Sequence, residues 1–418
     1  MKQIIDELAI FGGRPSFEQQ IEVGFPNTGE RRRFLARVNS SLDSGRLTDQ
    51  GPFLEEFEKR VAAFHGVRHC ITTASSTQAV ALLIHTLGLS GEIIVPSFIP
   101  VALVHTLHSN GITPVFCDVE PATHALDPGL VENLITRHTS GIVSAHLWGR
   151  AGDIEQLSAI AERHRLTLLF DAAHAFACTY RGRKIGNAGQ AEILSFHASQ
   201  ILHTFEGGAI LTDDGTLAER LRPAAVDDDG SFGVARNGRM NEISAAMGLT
   251  LLDGFTELVA INLRNYRRYR RMLTGLPGIH LIEYDHREQN NYHYVIVEVD
   301  PAAAGITRDQ LMAILWAEKV LARRYFYPVA HEMEPYRSHE THVRSPLPVT
   351  ESLTRTVLCL PTGPAMTGLE IDTVCNIIRL AVTCSSDVRV RLRYANGSRL
   401  SVPFLATEAD LITIARRE

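Results

Sequence analysis

The chain has 418 residues, of which 45% are hydrophobic and 21% are charged, and its formal net charge is −6. This length exceeds what one compact core usually holds and predicts a large domain with a smaller one. The negative charge argues against a nucleic-acid partner, and no apolar run approaches the roughly 18 residues of a membrane span. The start of the chain lacks the order of a signal peptide, and the six cysteines lack CxxC spacing. We therefore expect a cytoplasmic protein with free thiols and no metal site.

The first two segments differ in pattern. Residues 1–30 show no clear periodicity and are predicted to form an N-terminal arm. Strand-like apolar runs then alternate with helical patterns between about residues 50 and 250, which predicts an α/β domain with a largely parallel sheet over residues 31–255. The clearest predicted strands are Ile93–Pro96, Pro114–Asp118, Gly141–His146 and Leu166–Asp171. The last ends in a carboxylate, where ligands bind in open α/β sheets.

Residues 256–383 predict a smaller α+β domain. They contain a long arginine-rich helical pattern, Asn262–Leu276, and a strand-like run rich in aromatic and β-branched residues, Tyr292–Val299. Both patterns are of ordinary length for one helix and one strand.

Residues 384–418 predict an appended hairpin and a helix. Arginines alternate with apolar residues over Val388–Tyr394, Asn396–Gly397 is a hairpin turn signal, and Arg399–Val402 would return. A short helix, Glu408–Arg417, would end the chain. The arginine face is interpreted as solvated surface, with an anion or partner site as the alternative.

One segment connects the chain to a known family. Ser195-Phe196-His197-Ala198-Ser199-Gln200 is followed by His203-Thr204-Phe205-Glu206-Gly207-Gly208-Ala209-Ile210. This pattern resembles the cofactor-lysine segment of the DegT/DnrJ/StrS sugar aminotransferases, and several further motifs match in order over about residues 10–383. The resemblance implies an α/β protein of the fold type I aminotransferase class (aspartate aminotransferase-like), with a large domain and a smaller α+β C-terminal domain.

Position 200 departs from that family. The family has a lysine there, which forms the Schiff base with pyridoxal phosphate (PLP), whereas this chain has Gln200. An amide nitrogen is not nucleophilic and cannot form that bond or shuttle a proton as an amine does. The only lysines are Lys2, Lys59, Lys184 and Lys319. None lies in a motif typical of a cofactor lysine, so we expect all four to be solvated.

Other cofactor-binding residues follow from the resemblance. Asp171 matches the aspartate that pairs with the pyridinium nitrogen of PLP, and Ser195 matches a hydroxyl that contacts the phosphate. Asn237 lies in a segment that resembles the loop reaching into the neighbouring subunit's site, which implies a dimer. Taken alone, these residues read as a helix cap, an ordinary strand serine and a surface turn.

Two further positions depart from the family pattern. In Ser75-Ser76-Thr77, the phosphate-binding turn, Ser76 stands where the family usually has glycine before the threonine. Pro100 stands where an aromatic residue would stack on the PLP ring. Neighbouring Phe98 is predicted to be a core residue rather than a substitute.

One segment contains the candidate substrate-binding residues. Arg324 and Tyr327, within Arg323–Pro328, resemble residues near the sugar nucleotide in the family. The alternative interpretation is a strand with a charged start. The substrate would be a small molecule, such as a nucleotide-linked sugar.

Three functions remain open. The first is a degenerate sugar aminotransferase homologue repurposed for lysine-independent isomerisation, dehydration or cyclisation in sugar or natural-product biosynthesis, with PLP or pyridoxamine phosphate (PMP) held non-covalently if either is retained. Its candidate catalytic residues are Gln200, His174, His197, His203 and Glu206. The second is a non-catalytic subunit, as a homodimer or paired with an active paralogue. The third is ordinary PLP-dependent transamination using another lysine.

Overall fold

The computed structural model describes residues 1–48, 51–224, 238–338 and 342–395. Its centre is a seven-stranded sheet in which one strand, Gly208–Thr212, runs antiparallel to both neighbours and the other pairings are parallel. In spatial order the strands are β2 (His69–Thr73), β10 (Gly208–Thr212), β9 (Ala191–Ser195), β6 (Thr167–Asp171), β5 (Thr139–Ala145), β3 (Glu92–Pro96) and β4 (Thr113–Cys117). The four strands predicted from apolar runs are confirmed to within about two residues at either end.

Helices cover both faces of this sheet, because successive strand residues point to opposite sides. Ile93 and Val95 share a core with Leu83 and Leu107 on one face, whereas Ile94 belongs to a separate core on the other. The helices of this part are α1 (Arg31–Ser44), α2 (Pro52–His65), α3 (Ser76–Leu87), α4 (Val101–Ser109), α5 (Pro128–Val131), α6 (Ile154–His164), α7 (Gly215–Ala224) and α8 (Glu242–Asp253). Short 3-10 turns lie at Glu132–Leu134 and Leu147–Gly149, and a small hairpin pairs β7 (Thr179–Tyr180) with β8 (Arg183–Lys184). The predicted α/β domain with a largely parallel sheet is confirmed.

A second core forms around a three-stranded antiparallel sheet. Its strands are β11 (Ile279–Leu281), β12 (Val295–Val299) and β14 (Val357–Leu360), and its helices are α9 (Phe255–Leu273), α10 (Pro301–Ala304), α11 (Arg308–Ala317) and α13 (Gly368–Thr383). The helix α12 (Pro348–Thr356) instead contributes Leu353 to the core that holds Ile93 and Val95. Further 3-10 turns lie at Ala330–Glu332 and Tyr336–Ser338. The predicted arginine-rich helix and the predicted strand correspond to α9 and β12. The domain boundaries drawn from the sequence stay predictions.

The N-terminal arm is ordered by contacts with this second core. It forms 3-10 turns at Ile5–Glu7 and Ala9–Phe11, and β1 (Ile21–Glu22) pairs in parallel with β13 (Val320–Leu321). Leu8 is fully buried. The absence of periodicity in the arm therefore reflects irregular backbone that is nevertheless packed.

The hairpin predicted for the C-terminus is wrong over its first strand. The structure has a helix, α14 (Ser385–Ala395), where an arginine-alternating strand was expected. Val388 and Leu392, four residues apart, are buried together in the second core, and Arg391 pairs with Asp6 of the arm. Arginine is a good helix former, and a four-residue apolar spacing gives one helix face, so packing favours helix over the two-residue alternation. The expected turn, return strand and final helix lie outside the described residues.

Within the described ranges, no single helix is long and apolar enough to cross a membrane, although the bent pair α8 and α9 passes a test of length and composition alone. The same ranges contain no group of three or more His, Cys, Asp or Glu side chains that could hold a metal ion. All six cysteines are free thiols, as predicted, and five of them are buried.

Candidate cofactor site

A cavity of about 310 Å³ opens where β6 and β9 end and where α3 and α4 begin. Its lining includes most of the residues predicted from the sequence, namely Ser75, Ser76, Thr77, Pro100, Asp171, His174, Ser195, His197, Gln200 and Glu206. The structure therefore brings these residues together. Their individual roles remain predictions.

One end of the cavity is a helix N-terminus rich in hydroxyl groups. The Ser75 side chain caps α3 by accepting from the Gln78 backbone N–H at 3.2 Å, and its oxygen lies 2.7 Å from Thr77 Oγ1. Gly208 passes directly against this turn, since a Cβ there would lie 2.6 Å from the Ser75 carbonyl carbon. Helix N-termini attract anions through their unpaired N–H groups and dipole, so this end suits a phosphate.

Asp171 lies at the end of β6 and carries a buried carboxylate. It is 9% exposed, and Oδ1 accepts from the Ala173 backbone N–H at 2.9 Å. Burial raises its pKa from 3.8 to about 6. No Lys, Arg or His among the residues that the structure describes forms an ion pair with it. A buried carboxylate facing a cavity without its own cation fits a cationic ligand atom, as the ring nitrogen of PLP or PMP would be.

The Gln200 side chain lines the cavity and accepts a hydrogen bond from Tyr294, a residue that the sequence did not indicate. The Tyr294 hydroxyl donates to Gln200 Oε1 at 3.2 Å, and the Tyr294 ring is buried. The sequence signal was present only as one aromatic residue in a predicted strand, and nothing in the pattern linked positions 200 and 294, which are 94 residues apart.

Among the residues that the structure describes, no lysine lines the cavity. Lys59 is exposed on α2, and Lys319 donates to the Glu18 carbonyl. Lys2 corrects the expectation of four solvated lysines, because its side chain is 12% exposed and forms a salt bridge of 2.6 Å. Lys184 is also partly buried, which lowers its pKa.

His174 lines the cavity but is buried among aromatic rings. Its ring centroid lies 4.2 Å from that of Tyr294 and 5.3 Å from that of Trp148. Burial, with a smaller contribution from His293, lowers its pKa to about 3. The ring is therefore neutral at pH 7 and a poor acceptor of a proton.

His197 differs from His174 because it is open to solvent and has a carboxylate partner. Its Nε2 lies 3.6 Å from Glu206 Oε1, and its Nδ1 lies 2.8 Å from Ser199 Oγ. The His197 side chain is 54% exposed and the Glu206 side chain is 67% exposed. Of the two histidines that line the cavity, His197 is thus the exposed one, and its Nδ1 also accepts from the Ser199 backbone N–H at 3.2 Å.

Several predicted residues are not brought to the cavity. His203 is 2% exposed, its Nε2 forms a hydrogen bond with the Asn27 carbonyl at 2.6 Å, and it does not line the cavity. Arg324 stacks over the Tyr327 ring at 3.9 Å, and neither residue lines the cavity. Asn237 lies outside the described residues.

Pro100 and Phe98 fall where the sequence suggested. Pro100 lines the cavity at the start of α4, with no aromatic ring of its own to stack on a cofactor. Phe98 is fully buried, which confirms it as a core residue. The segment after Arg323 is not a regular strand, because only an isolated bridge joins Arg323 to Cys359.

A model of the DegT/DnrJ/EryC1/StrS aminotransferase family matches residues 29–379. The chain belongs to this family. A dTDP-4-amino-4,6-dideoxy-D-glucose transaminase of Escherichia coli is 30% identical over 374 residues, which cover 87% of this chain and 98% of the relative. A GDP-perosamine synthase of Caulobacter vibrioides is 33% identical over 347 residues, which cover 81% and 92%.

Solved structures of the family agree with this assignment, and the predicted fold type I class is confirmed. A structure of DesI, determined in the presence of its TDP-sugar product, is 44% identical and superposes with a TM-score of 0.88 over 93% of this chain and all of that one. The Escherichia coli relative is a sugar transaminase by name, and the family is one of PLP-dependent aminotransferases. The resemblance drawn from residues 195–210 is confirmed.

Proposed function

We propose that this protein holds PLP or PMP non-covalently and catalyses lysine-independent proton transfer on a nucleotide-linked keto sugar, leading to isomerisation, dehydration or cyclisation. The observation that carries the proposal is Gln200 in the cavity, together with the positions of all four lysines outside it. Relatives that act on nucleotide-linked sugars support the substrate class. A cytoplasmic location stays a prediction.

The cavity residues fit the cofactor at both ends. The cap of α3 and its hydroxyls suit a phosphate, and Asp171 suits a protonated ring nitrogen. When bound, the cofactor would supply a protonated ring that withdraws electrons from the substrate. Asp171 keeps that ring protonated, and Gln200, fixed by Tyr294, presents hydrogen-bonding groups in place of an amine.

Acid–base work then falls to the exposed pair of His197 and Glu206. The Ser199 backbone N–H donates to His197 Nδ1 at 3.2 Å, so the neutral ring carries its proton on Nε2, 3.6 Å from Glu206 Oε1. With the Glu206 carboxylate as the proton acceptor, the pair can take a proton from the carbon beside the sugar carbonyl and return it to a neighbouring atom, so that no redox partner is needed. His174 is unsuited to this step because burial holds its pKa near 3.

The function is tested by following hydrogen exchange at the substrate. The purified protein, loaded with PMP, is mixed in D2O with a nucleotide-linked keto sugar, and deuterium incorporation beside the carbonyl is measured by NMR. We expect His197→Gln to slow incorporation by on the order of 10²–10⁴, the usual contribution of a general acid–base residue. His286→Gln is the matched control, since His286 is 94% exposed and does not line the cavity. No incorporation above the cofactor-only rate would sink the proposal.

The Gln200→Lys variant tests whether the site has been repurposed or has lost only its lysine. With glutamate and a keto sugar, we expect the single variant to show poor amino transfer, because Pro100 and Ser76 also weaken cofactor orientation. Adding Pro100→Phe and Ser76→Gly should improve PLP retention further. Robust transamination by the unaltered chain would favour the third function, a transaminase, over repurposing. Robust transamination by the single variant alone would show that Pro100 and Ser76 are tolerated and that the site lost only its lysine.

The cofactor is expected to bind without a covalent bond. After incubation with PLP and reduction by borohydride, peptide mapping should show no stoichiometric adduct on any lysine. Lys184 serves as an internal control, because its lowered pKa makes it the lysine most open to non-specific labelling. A stoichiometric adduct on Lys59, Lys184 or Lys319 that is blocked by PMP would contradict the proposal.

We propose in addition that the protein is a dimer. Large apolar side chains lie exposed on α1 and beside it, at Phe25, Leu35, Leu42, Leu47 and Phe205. Phe205 packs against Phe34 of α1, next to Glu206 of the cavity. Such a patch is unusual on a monomer and fits a closed two-fold contact.

Sedimentation at micromolar concentration should give a dimer, and Leu35→Glu with Leu42→Glu should convert it to a monomer. Leu130→Glu is the control, since Leu130 is also exposed but lies on α5. A wild-type monomer that dimerises only with an active homologue would instead support the second function, a non-catalytic subunit.

A further inference from the structure

Trp148, which has left-handed backbone dihedral angles, packs its ring against His174. Trp148 has φ 61° and ψ 14° and is fully buried. Non-glycine residues rarely adopt this conformation, and it persists only where surrounding contacts hold it. The Trp148 and His174 rings stack with an angle of 28° between their planes. The Trp148 backbone N–H also donates to His174 Nδ1 in a long hydrogen bond of 3.5 Å.

The indole N–H is held in turn by a second buried histidine. Trp148 Nε1 donates to His124 Nδ1 at 3.1 Å, and His124 has a positive φ of 62° and is 1% exposed. Because Nδ1 accepts, the proton of neutral His124 lies on Nε2. That atom is 3.3 Å from Glu298 Oε1, a close approach that is not aligned as a hydrogen bond.

The same reasoning assigns the tautomer of His174. Its Nδ1 accepts from the backbone of residue 148, so the neutral ring carries its proton on Nε2. In this form the ring presents an Nε2–H donor and has no free acceptor nitrogen.

We propose that Trp148 and His124 are positioning residues that fix His174 as a neutral Nε2–H donor in the cofactor cavity. The position then selects a ligand with an acceptor atom there, such as a carbonyl or phenolic oxygen, and disfavours an ammonium group. The inference rests on the proposed function only in taking His174 to face the bound ligand.

The test reads the tautomer directly in the cofactor-free protein. The chain is labelled with ¹⁵N-histidine, and the His174 signals are assigned by their loss in His174→Gln. We expect a protonated Nε2 and an unprotonated Nδ1 in the wild type. His124→Phe, which removes the acceptor for the indole, should give a mixture of tautomers. His124→Asn, which keeps a side-chain acceptor and tolerates positive φ, should restore the wild-type pattern. His164→Phe, at the exposed pair with Glu132, is the control.

A second measurement guards against variants that fold poorly. Trp148→Phe keeps a stacking ring but lacks the indole N–H that donates to His124. We therefore expect the same change in the His174 tautomer as in His124→Phe. PMP affinity, measured by equilibrium dialysis, should fall about three- to tenfold in both, the effect of losing one hydrogen bond.

A wild-type His174 protonated on Nδ1 would overturn the proposal. So would an unchanged tautomer and affinity in folded His124→Phe and Trp148→Phe. Neither result depends on sugar turnover, so a failure here is distinguishable from a failure of the proposed function.

Discussion

Replacing Asp171 by asparagine should stabilise the cofactor-free protein while it weakens cofactor binding. Burial raises the pKa of the folded carboxyl from 3.8 to about 6. The folded state therefore binds the proton more tightly than the unfolded state. Ionising Asp171 therefore lowers the free energy of unfolding. This loss grows as the pH rises from about 4 to 6 and reaches its full size above pH 6. A shift of that size corresponds to about 3 kcal/mol at pH 7. The Asp171→Asn variant removes the cost, so the stability gain should be largest above pH 6 and vanish below pH 4.

Cofactor affinity should move in the opposite direction. The carboxylate lacks a cation among the described residues, and a protonated ring nitrogen would supply one. Removing one partner of a buried ion pair costs roughly 3 kcal/mol or more, so PLP and PMP should bind on the order of 100-fold more weakly to Asp171→Asn. Urea denaturation across pH 4–8 and equilibrium dialysis measure the two effects.

Glu192 provides a matched control for both measurements. It lies on β9, and burial raises its pKa from 4.5 to about 7. It is fully buried and does not line the cofactor cavity. Glu192→Gln should therefore give a similar gain in stability at pH 7 with unchanged cofactor affinity. Equal loss of affinity in both variants would show that Asp171 acts through the fold rather than by pairing with the ligand.

Glu318→Ala should strongly destabilise the second core. Glu318 is fully buried, and its carboxylate accepts from Lys2 Nζ at 2.6 Å and from the backbone N–H groups of Ala9 and Ser16. Truncation leaves an ammonium group and two backbone donors without partners. Breaking a buried pair of this kind costs about 3–5 kcal/mol.

Thermal and urea unfolding should both show that loss, and the arm should become sensitive to limited proteolysis near residues 1–16. Glu132→Ala is the control, because its pairs with Arg163 and His164 are largely exposed and should change stability by less than about 1 kcal/mol. A loss in Glu318→Ala no larger than that of the control would show that the arm is not held by this carboxylate.

The amino-acid sequence by itself determined the main sheet and the central chemical question. The strands ending near Pro96, Asp118 and Asp171 were readable because short apolar runs alternate with helical patterns, and this signal is local. The replacement of lysine by Gln200 was readable for the same reason, since it sits inside a contiguous motif. The family assignment needed no long-range contact.

The tertiary structure decided which residues meet and which histidine can act. Residues 388–394 alternate like a strand, yet Val388 and Leu392 pack into the second core as a helix face. His203 lies in the same motif as His197, but its ring bonds to the Asn27 carbonyl instead of reaching the cavity. The partners of Gln200 and His174, which are Tyr294 and Trp148, come from other segments. Burial, ring stacking and hydrogen bonds across such separations depend on how the chain packs, and no local pattern encodes them.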